Sequence, residues 1–402
     1  MKKFIYAGLI ACTVGSLFIG CSRNDEPAPP KGGDENIAVK SIELDPSTLT
    51  TYTGQNTVIK AVITPDNATD KTVTWKSSDE SIAVVDGNGQ VTAAAVGTAT
   101  ITATTTDGNF KATCDVTVKS TVNLITLDIQ KVSTPIAPKN PGNYDVWFVM
   151  AGSKIYYTNP SNTGIPQFML AYDVTSNTFT DRVPNAELVG AGYVSKMVTD
   201  GGSLFYIAND AVKYSISGNS WTTLNYPPTA KDNNGETGVV VSSGNVYFLG
   251  GRTASTKFKY YDPSANSWFN APDYPYAVET NDMVSTGGRI YALGGDASRK
   301  KFSYFNVTNS AWKTLPDLPF TATNHYNEHS VAYFLTGYIF ALASNKIYIY
   351  DVNKEVWKDE PINVNIPGVY PNLFAYGSNT LYIASKTDPG NDFQLHKITV
   401  NF

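Results

Sequence analysis

Between residues 120 and 402 the chain alternates short runs of apolar and aromatic residues with clusters of Gly, Asn, Ser, Asp and Pro. Residues 237–275, TGVVVSSGNVYFLGGRTASTKFKYYDPSANSWFNAPDYP, set the pattern. They predict four strands, TGVVVSS, VYFLGG, KFKYYD and SWFNAP, with a tight Gly-Asn turn after the first. Each strand is rich in β-branched or aromatic residues, and each break carries turn formers. A four-stranded meander of about forty residues cannot bury both faces alone, so it requires copies of itself.

The copies are present. An aliphatic residue followed by Tyr or Phe marks the second strand at Ile155-Tyr156, Leu204-Phe205, Val246-Tyr247, Ile290-Tyr291, Ile339-Phe340 and Leu381-Tyr382. Aromatic pairs seven residues apart mark the third and fourth strands: Tyr172/Phe179, Tyr214/Trp221, Tyr261/Trp268, Phe305/Trp312 and Tyr350/Trp357. The first member is followed by Asp173, Ser215, Asp262, Asn306 or Asp351, short side chains able to accept bonds from the turn's own N–H groups. A constant seven within a varying repeat predicts fixed geometry between strands three and four.

These features resemble the Kelch repeat, in which a di-Gly closes one strand and Tyr-Asp and then Trp follow. Gly250-Gly251 and Gly294-Gly295 keep the di-Gly; other units carry Thr158-Asn159, Ala208-Asn209, Ala343-Ser344 and Ala384-Ser385. The resemblance covers residues 120–402 and implies a β-propeller; it implies little about activity. The sixth unit ends at Phe402 before any fourth strand, while TVNLITLDIQKV precedes the first unit unassigned. The expected architecture is therefore six-bladed, with Leu124–Val132 as the outer strand of the sixth blade, which removes a bare edge.

Residues 37–119 differ. Runs such as TVIKAVIT, KTVTWKSS, SIAVVD and GTATITATT alternate with turns, and Gly87-Asn88-Gly89 predicts a hairpin. Seven or so short strands suggest a β-sandwich. The run TWKSSDESIAVVDGNGQVTAAAVGTATITATTTDG resembles the bacterial Ig-like group 2 (BIG2) domain, which implies Trp75 as a core aromatic and the domain as a stalk. Cys114 reads as a small apolar filler within a strand. The whole chain is thus expected to be all-β: an Ig-like sandwich followed by a Kelch-type propeller.

The N-terminus changes the picture. Lys2 and Lys3 precede an apolar stretch ending Phe18-Ile19-Gly20-Cys21, which resembles a bacterial lipoprotein signal with an acylated cysteine. Leu9-Ile10-Ala11-Cys12 also fits, but cleavage there would leave TVGSLFIG as an apolar mature end, so Cys21 is preferred. The expected organisation is a signal peptide at 1–21 with lipidated Cys21, a flexible Pro- and charge-rich tether at 22–36, the Ig-like domain at 37–119 and the propeller at 120–402. Asp25-Glu26 is similar to signals that carry Gram-negative lipoproteins to the cell surface; a periplasm-facing outer-membrane anchor is the alternative. Without Lys2 and Lys3 the chain has 28 basic and 35 acidic residues, a formal charge of −7 with no basic run, and no nucleic-acid partner is expected.

Candidate chemistry sits on loops. Successive antiparallel strands put the turns after strands one and three on one face and the loops after strands two and four on the other. The first set is short. The second includes 158–167, 182–192, 226–236, 251–257, 271–281, 295–301, 315–329, 361–371 and 384–392. That loop face carries Tyr226, Tyr274, Tyr276, Tyr326 and Tyr370, whose rings suit sugar rings or protein side chains. Glu236, Arg252, Asp282, His325 and His329 stand near them, and these ten residues form the expected ligand-binding set, with no catalytic residue assigned. His325 and His329 lie between strands rather than on a helix, and His396 is the only other histidine, so no metal site is expected. No cofactor motif is present. The copper radical oxidases built on this ring use a tyrosine joined to a cysteine, and residues 120–402 contain no cysteine. The expectation is a monomeric, lipid-anchored envelope protein whose loop face binds a carbohydrate or protein ligand. The alternative is a carbohydrate-active enzyme of the sialic acid mutarotase type, with Glu236 and Arg252 supplying a carboxylate and an anion clamp.

Overall fold

The structure is a computed structural model and describes residues 36–133, 148–160, 166–183, 196–207, 211–225, 238–250, 254–278, 282–322, 331–366, 369–386 and 393–402. The expected signal peptide, Cys21 and nearly all of the tether lie outside these residues. Among the described residues no helix is long and apolar enough to cross a membrane.

The Ig-like part contains nine strands between Ser41 and Lys119, rather than about seven. Its main sheet is ordered Thr48–Tyr52, Lys111–Lys119, Gly97–Thr105, Val73–Ser77, the first pair parallel and the others antiparallel. Alternation along Gly97–Thr105 and Lys111–Lys119 turns Ile101, Ala103, Cys114, Val116 and Val118 inward. Trp75 is half-buried against this core, and burial pushes the Cys114 thiol above its ordinary pKa. The predicted hairpin joins Ala83–Val85 to Gln90–Ala93, with Asp86 Oδ1 accepting from Asn88 N at 2.9 Å and Gln90 N at 2.8 Å. Gly89 has positive φ, and a Cβ there would lie 2.4 Å from the Ile59 carbonyl oxygen and 2.7 Å from Trp75 Cζ2.

Six sheets follow. Sheet one comprises Phe148–Ala151, Lys154–Pro160, Pro166–Asp173 and Thr178–Val183. Sheet two comprises Lys196–Thr199, Ser203–Ile207, Ala211–Ser215 and Ser220–Thr223. Sheet three is Gly238–Ser242, Asn245–Leu249, Phe258–Asp262 and Ser267–Ala271. Sheet four is Asp282–Thr286, Arg289–Leu293, Phe302–Asn306 and Ala311–Leu315. In sheet five, Val331–Leu335, Tyr338–Ala343 and Lys346–Asp351 are followed by a divided last strand, Val356–Trp357 and Ile362–Asn363. Sheet six is Val369–Tyr376, Thr380–Lys386 and Phe393–Asn401, and its fourth strand is Thr126–Lys131.

That last strand is two residues shorter at its start than Leu124–Val132. Ser120 caps a 3-10 turn over Thr121–Leu124, so Leu124 belongs to the turn, and pairing begins with Thr126 opposite Asn401. Several strands extend into stretches expected to be loop: 158–160 and 166 pair in sheet one, and 384–386 in sheet six. Residues 344–345 make a two-residue turn with both φ positive, so sheet five carries no long loop between its second and third strands.

The seven-residue spacing has a direct cause. Each pair stands directly opposite across strands three and four, Tyr172 with Phe179, Tyr214 with Trp221, Tyr261 with Trp268, Phe305 with Trp312 and Tyr350 with Trp357. Their ring centroids are 4.9–5.4 Å apart, the separation at which aromatic pairs add to area burial. The turn between them is held from inside. Asp173, Asp262, Asn306 and Asp351 each accept from backbone N–H groups two and three residues on. Five residues after each tyrosine of sheets one to three an Asn with positive φ accepts the phenol proton: Asn177 from Tyr172 at 2.6 Å, Asn219 from Tyr214 at 2.7 Å, and Asn266 from Tyr261.

Apolar clusters fill the space between neighbouring sheets. Tyr157, Phe148 and Tyr172 of sheet one pack with Phe374, Tyr382 and Leu395 of sheet six, while Leu381, Ile398 and Val400 of sheet six pack with Phe340, Ile347 and Ile349 of sheet five. The first strands touch in chain order from sheet one to sheet six, and that of sheet six also touches that of sheet one. The arrangement is consistent with a propeller.

Two outcomes follow. Gly89→Ala should lower the stability of the Ig-like domain by about 2 kcal/mol or more, read by thermal unfolding, because strain and overlap with a backbone oxygen act together. Wild-type melting temperature would contradict it. The second concerns acid. Hydrogen bonds from Ser264 and then Ala265 hold the Asp262 carboxyl below its ordinary pKa. A depressed carboxyl contributes stability above the unfolded value that disappears as pH falls through the folded one. Asp262→Asn keeps the turn acceptor, as Asn306 does in sheet four, and should show a shallower fall in melting temperature between neutral and acid pH. An unchanged slope would count against this assignment.

Candidate functional site

The loop end of sheets three and four is stitched together by backbone bonds. Ser255, between strands two and three of sheet three, exchanges backbone bonds of 3.0 and 3.1 Å with Val278, and Tyr274 N donates to Thr256 O at 2.8 Å. Asp296 N then donates to Ala277 O, and Leu318 N and Ala322 N donate to Lys300 O and Arg299 O. These bonds turn sequence-distant loops into a continuous layer over sheets three and four.

Tyr274 belongs to the core of that layer, not to a ligand surface. It is 1% exposed, packs 4.8 Å from Trp312, and its hydroxyl donates to Gly294 O at 2.9 Å. Burial pushes its phenol well above the ordinary range. The second glycine of the di-Gly exists for this contact: Gly295 has φ of +132°, and a Cβ there would press on Tyr274 and Tyr276 at 3.2 Å. Tyr276 is half-buried, edge-on to Tyr274, with Lys301 Nζ 5.5 Å from its ring centre. Lys301 is itself held by Asp317 at 3.1 Å, and Lys257 by Asp273 at 2.7 Å. Asp282 is half-buried at the first position of its strand, next to Met283 of the central wall, and is engaged by a neighbour. Tyr370 lies on the first strand of sheet six. Tyr226, Glu236, Arg252, His325, Tyr326 and His329 lie outside the described residues.

Sequence reasoning missed the centre. The first strands of sheets one to four and of sheet six line a cavity of about 340 Å³ whose wall includes Phe148, Met150, Met197, Val240, Met283 and Phe374, with Thr199, Ser285 and Asn372 as its polar side chains. A second space of about 450 Å³ adjoins it at the turn end, among Gly152, Asp200, Gly201, Ser243 and Gly244. Met150, Thr199 and Val241 line both. Thr199 Oγ1 donates to Ser203 O at 2.7 Å, and Ser285 Oγ donates to Ser242 Oγ at 2.8 Å, so these hydroxyls brace the wall. Each first strand is the end strand of its sheet, which leaves one backbone edge toward this space. The wall therefore alternates peptide donors and acceptors with apolar side chains, a combination able to meet both the hydroxyls and the C–H faces of a polar ring. Its residues are Val, Met and Phe, which a sequence presents as ordinary core.

Among the described residues no group of three or more His, Cys, Asp or Glu could hold a metal. His396 is buried in sheet six, where burial and then Lys131 lower its pKa.

Residues 38–116 match the family described as bacterial Ig-like domain (group 2). An uncharacterized protein of Clostridium acetobutylicum is 42% identical over 106 residues, 26% of this chain and 11% of that protein. An alpha-L-arabinofuranosidase of Bifidobacterium longum subsp. longum is 46% identical over 83 residues, 21% of this chain and 8% of that enzyme. The chain thus spans about a tenth of the length of these relatives. The solved structure titled "Structure of YjhT" is 14% identical, with 66% of this chain and 99% of that one aligned at a TM-score of 0.50, a likeness of fold alone. The chain accordingly carries a bacterial Ig-like domain of group 2, followed by a propeller-like array of sheets.

Proposed function

We propose that the protein is a lipid-anchored binding protein of the Gram-negative outer membrane, held by Cys21, that presents a carbohydrate ligand site at the loop end of a closed, six-bladed Kelch-type propeller. The tether at 22–36 gives reach, the Ig-like domain acts as stalk, and the cell surface is the proposed location. One observation carries this reading. Thr126–Lys131 runs antiparallel to Phe393–Asn401 and begins opposite Asn401, so the chain enters the array at its turn end. The Ig-like domain meets the same end, and the loop end opens away from it.

The ligand class rests on the central wall, where peptide edges and apolar side chains alternate, and on an arabinofuranosidase among the relatives. Tyr276 and Asp282 would contact the ligand, with Tyr226, Glu236, Arg252, His325, Tyr326, His329 and Tyr370 on the rim. No catalytic group is assigned.

A glycan array probed with the Cys21→Ser chain tests the reading. It should retain at least one class of oligosaccharide, and Tyr276→Ala or Asp282→Ala should weaken that binding by about tenfold, the usual cost of losing a contact worth more than 1 kcal/mol. A chain that is folded by circular dichroism yet retains no glycan would overturn it.

A further inference from the structure

Two domains joined by a short connection ordinarily move relative to one another unless a large apolar interface holds them. Here the connection itself is built into both. The last Ig-like strand ends at Lys119 and the sheet-six strand begins at Thr126. Of the residues between, Ser120 is 3% exposed, Val122 is fully buried and Ile125 is 2% exposed. Val122 and Ile125 belong to the cluster that fills the space between sheets five and six. The backbone of this stretch is closed on itself, Asn123 N donating to Ser120 O at 3.0 Å and Ile125 N to Val122 O at 3.2 Å. Leu124, 43% exposed, is the residue of the connection turned toward solvent, and its backbone lies within the closed turn.

Sheet five then clasps the turn from outside. Asp359 N donates to Asn123 Oδ1 at 2.7 Å, and Lys358 Nζ donates to the Asn123 carbonyl oxygen at 2.6 Å. Lys354 Nζ donates to Thr121 Oγ1 at 2.6 Å and to Thr53 Oγ1 of the Ig-like domain at 3.0 Å. Lys119 Nζ pairs with Asp359 Oδ2 at 3.0 Å. Lys358 lies in a partly buried bond, and Thr53 N donates to Lys119 O at 2.9 Å, so the Ig-like end of the clasp is itself anchored. An isolated surface ion pair would hold little. Several bonds converging on one buried turn restrict bending and twisting together, because each direction of motion breaks a different one.

We propose that the turn at 120–125 is a fixed joint, which locks the Ig-like domain and the sheets into one rigid body. This goes beyond the ligand proposal and stands independently of it. Asn123 is the centre of the joint, since it meets sheet five through both its side chain and its carbonyl. Lys354 is the second fastening, since it alone spans Thr53 and Thr121.

Pulsed electron spin resonance on the full chain tests this, with spin labels at Lys76→Cys in the Ig-like domain and Thr308→Cys in sheet four, Cys12→Ser and Cys21→Ser throughout, and Cys114 too buried to label. The wild-type joint should give one narrow distance distribution. Adding Asn123→Ala with Lys354→Ala should broaden it at least about twofold, as expected for freed domain motion. A distribution already broad with the wild-type joint overturns the proposal. So does one that stays narrow in the double variant while circular dichroism shows both domains folded. A variant that loses fold is replaced by Lys354→Ala with Lys358→Ala, which leaves the buried turn intact and must also broaden the distribution.

Discussion

A four-stranded sheet with two apolar faces cannot stand alone in water, and every sheet after residue 126 is of this kind. Sheet six shows the constraint most plainly: Leu381, Ile398 and Val400 face sheet five, while Phe374, Tyr382 and Leu395 face sheet one. Each buried aliphatic or aromatic side chain contributes about 1.5–3 kcal/mol relative to exposure, so an uncovered face is intolerable. The remedy is to surround each sheet with others. Loop lengths, the order of strands and the use of an early strand for the last sheet are subordinate to that requirement.

The aromatic pairs serve the same end at the outer rim. Trp268 Nε1 donates to Asn225 O, and Trp312 Nε1 to Pro272 O, each reaching the connection that leaves the preceding sheet. Asn266 accepts from Asn225 N as well as from the Tyr261 phenol. One turn thus fixes its own hairpin and the neighbouring connection together. In sheet five Glu355 replaces the Asn and bonds Lys313 instead, and the buried Tyr350 hydroxyl has no partner. The motif bends where a cross-sheet ion pair takes its place.

Much of this fold was legible because its repeat is a matter of register: residues seven apart across a four-residue turn must face one another. The turn acceptors at 173, 215, 262, 306 and 351 were legible for the same local reason. The site was less so. Tyr274 looks like a loop aromatic until the bridge between Ser255 and Val278 closes over it, and that contact joins residues 23 apart that no periodicity relates. Met150, Met197 and Met283 look like core until the first strands of three sheets bring them to one cavity. The joint at 120–125 was hidden as well, since its order comes from Lys354, Lys358 and Asp359 more than two hundred residues away.

The account depends most on the strand that sheet six takes from before sheet one. Replacing Thr126–Lys131 with six alternating Gly and Ser residues keeps the spacing and removes the pairing with Phe393–Asn401. We expect the main thermal transition to fall by about 10 °C, with soluble oligomers in size-exclusion chromatography from the bared edge of that strand. A replaced chain that melts with the parent and stays monodisperse would contradict the proposed closure.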